Sequence, residues 1–84
     1  MNLKDLEVFK KLENAIADVV EDSHIDVDNK EAFENEFYKK AQNDKDLELF
    51  KVFLKKFYEI YENKKIDIMN FPKYFVQNEL VFLK

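Results

Sequence analysis

Lys4-Asp5-Leu6-Glu7-Val8-Phe9-Lys10 returns 41 residues later as Lys45-Asp46-Leu47-Glu48-Leu49-Phe50-Lys51. The match runs without a gap from residues 2–29 onto 43–70, with 11 identities in 28 pairs, among them Asn2/Asn43, Glu21/Glu62, Ile25/Ile66, Asp26/Asp67 and Asn29/Asn70. A fixed period of this length is the signature of a repeated supersecondary unit. At 84 residues the chain is too short for two independent cores. Two copies, about 2–42 and 43–84, therefore share one core in a single domain spanning 1–84.

Leu6, Phe9, Leu12, Ile16, Val19 and Val20 recur at helical spacing, and the offset carries them onto Leu47, Phe50, Phe53, Phe57, Ile60 and Tyr61. Each copy thus opens with an amphipathic helix, about 3–22 and 45–62. Asp44 is placed to cap the second, and Asn43 and Asn63 are the residues suited to a left-handed helix end in a chain without glycine. His24-Ile25-Asp26-Val27-Asp28 and Lys65-Ile66-Asp67-Ile68-Met69 alternate polar and apolar, so they read as extended linkers able to pair as a very short two-stranded ribbon. A shorter helix follows each. Asp28 with Glu31 reads as a capping box before Ala32, Phe33, Phe37 and Ala41, and Pro72 suits the first turn before Tyr74, Phe75 and Leu80. The stretch 80–84 reads as helix or as a partly extended segment. The expected fold is all-α, a four-helix domain made of two helix-loop-helix repeats.

Nine Phe and four Tyr give the small core large buried rings. With no cysteine the fold has neither disulfides nor thiolate ligands. No glycine means no glycine-rich phosphate loop, and with every basic residue a lysine the planar fork that grips phosphates is missing, which disfavours nucleic acid as a partner. The sequence shows no secretory leader and no apolar run long enough to span a membrane, so a cytoplasmic protein with no membrane partner is expected.

Charge is uneven: residues 1–42 carry 6 Lys and 11 acids, whereas 43–84 carry 8 Lys and 7 acids. Between Asp18 and Glu36, Asp18, Glu21, Asp22, Asp26, Asp28, Glu31, Glu34 and Glu36 are opposed only by Lys30. An electrostatic partner of that face should be basic.

Helix, loop with an Ile-Asp near its end, helix, then the same again, resembles a pair of EF-hands. With Ile25 and Ile66 at the eighth loop position, Asp18, Val20, Asp22, Asp26 and Asn29 take ligand positions one, three, five, nine and twelve. The resemblance implies calcium held by Asp18, Asp22, Asp26 and Asn29. The family's glycine at position six is Ser23 or Lys64 here, and its bidentate glutamate at position twelve is Asn29 or Asn70, so the hands are degenerate. Separately, Asp67-Ile68-Met69-Asn70-Phe71-Pro72-Lys73 resembles a short segment of the small acidic immunity proteins that block DNase colicins. It covers under a tenth of the chain and implies an inhibitory protein-binding style.

His24 and Ser23 are neighbours in sequence and unsuited to act as base and nucleophile, and one histidine without cysteine leaves only carboxylates for a metal. No catalytic residue and no cofactor is expected, so the chain does not read as an enzyme. Leu54, Tyr58 and Tyr61 fall on one side of the third helix, at spacings that bring side chains together. With Phe71 and Tyr74 they form an expected aromatic patch. Burial at the centre of the bundle is the alternative use of the same residues. The expected function is a non-catalytic protein-protein interaction module, an inhibitor, immunity-type or regulatory protein. Its partner-binding residues are Leu54, Tyr58, Tyr61, Phe71 and Tyr74 for affinity and Glu21, Asp22, Asp26, Asp28, Glu31 and Glu34 for steering, with a homodimer as a second use of the patch. Calcium binding and mimicry of nucleic-acid phosphates by the acid run are the alternatives.

Overall fold

The computed structural model describes residues 3–78, and within them the chain forms four helices: α1 (Leu3–Ala17), α2 (Lys30–Lys39), α3 (Asp44–Lys64) and α4 (Phe71–Asn78). The all-α expectation holds. No strand forms among these residues, so the two linkers do not make the ribbon that their alternation suggested. The reading of 80–84 lies outside the described residues.

Helix 3–22 is present in two parts, because α1 passes directly into a π-helical turn, Asp18–Asp22. The turn is closed by the Ser23 N–H donating to the Asp18 carbonyl at 3.0 Å, five residues back. A wider turn of this kind inserts one residue into the helical register. Here it leaves Val19 fully buried and turns Val20 outward.

The start of α3 corrects the expected capping. Asn43 is the cap, with an extended backbone (φ −159°, ψ 175°) and a side chain that accepts the Asp46 N–H at 2.8 Å, while Asp44 is the first helical residue. Asn63 lies inside α3, and the left-handed residue after the helix is Lys65 (φ 49°). Its counterpart 41 positions earlier, His24, is also left-handed (φ 55°). Both linkers then repeat one hydrogen-bonded turn. Asp26 Oδ1 accepts the Asp28 N–H and Asp67 Oδ1 accepts the Met69 N–H, each at 3.0 Å. Asp28 is therefore not a capping residue: Asn29 precedes α2 and makes no side-chain cap. Asp26 accepts the Asp28 N–H that Glu31 would have accepted in the expected capping box.

α1 packs against α4 and α2 against α3, so each interface joins one repeat to the other. Phe53, fully buried, has ring contacts with Phe37 of α2 at 5.8 Å and with Phe71 and Phe75 of α4 at 5.3 and 5.2 Å. Phe57, one turn on, stacks on Tyr61 at 5.1 Å and meets Phe71 edge-on at 5.6 Å. At the other end Asp46, buried at the start of α3, accepts from Lys11 Nζ of α1 at 2.9 Å. A buried carboxylate needs such a partner, because an unpaired charge there costs several kcal/mol.

Because Phe53 touches both α2 and α4, Phe53→Ala should destabilise the fold by about 3–5 kcal/mol. Urea unfolding followed by helical circular dichroism measures this, and a loss below about 1 kcal/mol would contradict its central place.

Candidate protein-binding surface

The acid run lies on the surface. Glu21, Asp22, Asp26, Asp28 and Glu31 are exposed, and Asp18, Glu34 and Glu36 are half-buried. Glu36 pairs with Lys39 at 3.2 Å and Lys40 at 3.9 Å. Among the described residues no lysine reaches ion-pair distance of the other seven. Asp18, Glu21 and Asp22 moreover occupy the final turn of a helix, where no basic residue balances them. Negative charge at a helix C-terminus is opposed by the helix dipole, by about 0.3–1 kcal/mol per group. These acids weaken the helix they stand on, so local stability does not account for them.

The first linker is held against the last turns of α3. Tyr58 Oη donates to the Val27 carbonyl at 2.8 Å, and Tyr61 Oη donates to Asp28 Oδ1. Because the second linker leaves the end of the same helix, both linkers and the acid run's centre share one end of the domain. Lys30 Nζ sits 5.3 Å from the Tyr58 ring centre and Lys65 Nζ 4.5 Å from that of Tyr61. Such cation–ring contacts favour holding both linkers in place.

This arrangement corrects the expected aromatic patch. Leu54, Tyr58 and Phe71 are buried, and Tyr61 is half-buried against the first linker. They cannot be presented together, because the face of α3 that carries Leu54 and Tyr58 meets α2 and the linker. Tyr74 remains outside, 45% exposed, with its ring 5.5 Å from Phe71.

Tyr74 also lines an open groove of about 670 Å³ between the end of α3 and the start of α4, with Ile60, Ile66, Phe71, Glu59 and Asp67 among its walls. Mapped back by 41 positions, Ile60 and Tyr74 become Val19 and Phe33, both fully buried. The first repeat fills this site from within, and the second leaves it open. On the other flank of Glu59 lies a smaller hollow of about 250 Å³, whose walls include Glu34, Tyr38, Tyr58 and Glu62.

The residues that the EF-hand resemblance assigns to calcium are placed differently from loop ligands. Asp18 and Asp22 sit at the two ends of the π turn, Asp26 Oδ1 accepts the Asp28 N–H, and Asn29 precedes α2. Among the described residues, no three acidic or histidine side chains gather at distances suited to a metal ion. Ser23 Oγ donates to Glu36 Oε2 at 3.5 Å, and His24 is exposed. No helix among the described residues is long and apolar enough to cross a membrane.

Three tyrosines have perturbed phenols. Burial, with the Glu34 carboxylate beside it, pushes Tyr38 up to about 12. The hydrogen bond to Asp28, with burial and the charges of Asp28 and Asp26, pushes Tyr61 up to about 12. Tyr58 is raised further, mainly by burial and then by Glu34. No protein-family model matches this chain, and no match is found among curated proteins or solved structures.

Each of these phenols ionises above the ordinary value near 10, so folding favours the protonated form. Their contribution to stability is complete below pH about 10; that of Tyr38 and Tyr61 is lost as pH rises through about 12, and that of Tyr58 higher still. Absorbance at 295 nm with pH should show them ionising late, and Tm should fall across the same interval. Tyr61→Phe should remove one late-ionising phenol; a titration of the variant identical to that of the parent protein would contradict the assignment.

Proposed function

We propose that this protein is a non-catalytic protein-binding module, an inhibitor, immunity-type or small regulatory protein, that takes a basic partner at its acidic linker end. The observation that carries this reading is the set of exposed, unneutralised carboxylates Glu21, Asp22, Asp26 and Glu31, part of which stands on a helix end where it opposes the dipole. Charge kept at a cost to the fold points to a use outside it. Carboxylates on an exposed rim act mainly on the rate and selectivity of encounter. The open groove beside Tyr74 supplies what they lack, an apolar cleft able to seat an anchoring side chain.

Titrating isotope-labelled protein with a lysine-rich peptide, followed by amide chemical shifts, tests the reading. Shifts should concentrate between residues 18 and 36 and weaken as salt rises, since an ionic strength of about 0.15 M screens exposed charges beyond roughly 8 Å. Glu21→Gln, Asp22→Asn and Glu31→Gln combined should weaken binding about tenfold, roughly 1.4 kcal/mol. Shifts scattered over the whole surface, or affinity unchanged in the triple variant, would overturn the proposal. Tyr74→Ala separates two kinds of binder. Weakened binding identifies an aromatic anchor, and unchanged binding with steep salt dependence identifies a mimic of nucleic-acid phosphates.

A further inference from the structure

Both linkers leave their helices through a left-handed residue, but they close differently. In the first copy the Ile25 N–H reaches back to the Val19 carbonyl at 3.1 Å and draws the linker onto the helix end. In the second, the Lys65 N–H donates to the Tyr61 carbonyl at 3.0 Å, and among the described residues no such bond joins Ile66 to Ile60. The linker stands off there. Ile60, Ile66, Phe71 and Tyr74 are left as apolar walls of the groove of about 670 Å³. A cleft of that size and lining suits a ligand's side chain better than water.

Glu59 belongs to two cavities at once, since it lines this groove and also the hollow of about 250 Å³ on its other flank. The hollow has the opposite character. Glu34, Glu59 and Glu62 line it together with Lys30 and Lys55. Among the described residues, neither Glu34 nor Glu62 has a lysine at ion-pair distance, so negative potential is left over beside the apolar groove. The hollow's wall already receives one ammonium group, Lys30 Nζ, which lies 5.3 Å from the Tyr58 ring centre. Space for a second is present, because a group the size of a water molecule takes about 30 Å³. The width of α3, about 10–12 Å with its side chains, separates the two cavities. Residues four apart in an extended segment share a face and stand about 13 Å from each other, so one segment crossing the Glu59 ridge reaches both.

We infer that the two cavities together seat one extended segment of a basic partner, with an apolar side chain in the groove beside Tyr74 and a lysine four residues away in the hollow beside Glu34 and Glu62. The inference rests on the reading of this protein as a module for a basic partner, and it adds the pattern of side chains that the module selects. Two lysine-rich peptides that differ at one position test it: one carries a phenylalanine four residues from a lysine, and the other has alanine there. Each is titrated into isotope-labelled protein. The phenylalanine peptide should bind about tenfold more tightly and add shifts at Ile60, Ile66 and Tyr74, and Tyr74→Ala should abolish the difference. Glu62 is exposed and lies outside the acid run, so Glu62→Gln isolates the hollow and should weaken both peptides about threefold. Equal binding of the two peptides, with shifts confined to residues 18–36, would overturn the inference and leave the basic-partner reading in place. Binding by neither peptide would overturn both. An advantage of phenylalanine that survives Tyr74→Ala, or an affinity unchanged in Glu62→Gln, would also overturn the inference.

Discussion

Ring packing around Phe53 and Phe57 is the constraint on which the rest of the structure depends. Two repeats too small to bury their own stripes must present them to each other, and α3 carries in Phe53 a ring that meets both α2 and α4. Once those rings are fixed, the linkers must lie beside the last turns of α3. The Tyr58 and Tyr61 hydroxyls hold the first linker there. The acid run sits at this end because the core requires its linker to sit there.

Duplication explains what the two halves share, and divergence explains the surface. A left-handed residue and the same aspartate turn occur in both linkers, His24 being of a type that enters that conformation more readily than most and Lys65 not. Without glycine, each copy places a non-glycine residue in a backbone state that costs about 1–2 kcal/mol, offset by the turn that follows. The π turn occurs in the first copy alone, and it goes with a buried Val19. In the second copy α3 runs on without interruption, Ile60 is only half-buried, and the groove beside Tyr74 stays open.

Most of the architecture was legible in the sequence for a definite reason. The apolar stripes of both copies match a helical period, and the 41-residue offset predicts that the two short helices begin at equivalent places, as Lys30 and Phe71 do. The errors came where local pattern and tertiary context diverge. Asn63 has the chemistry for a left-handed helix end, yet α3 continues past it and the left-handed turn falls on Lys65, whose N–H donates to the Tyr61 carbonyl. Leu54 and Tyr58 fall on one side of a helix, but periodicity does not say whether that side meets water or α2. The groove was signalled by one comparison between the copies, in which Phe33 becomes Tyr74, a ring with a polar tip at a position otherwise filled by pure hydrocarbon. The π turn left no mark in the stripe.

Placement of charge shows where folding stops accounting for the sequence. Asp46 is a buried acid with a lysine from another helix and a capped backbone, and its position follows from stability alone. Glu31, in the first turn of α2, also agrees with the helix dipole. Asp18, Glu21 and Asp22 do not, since they stand at the opposite pole of their helix without a basic neighbour in the turn. Asp26 and Asp28 differ again: Asp26 accepts a linker N–H, Asp28 accepts the Tyr61 hydroxyl of α3, and each still faces solvent. One stretch of acids thus divides into groups that hold the fold, groups that do so while still facing water, and groups that the fold would be better without. The last are the residues for which folding does not account, and they lie on the same end of the domain as the open groove.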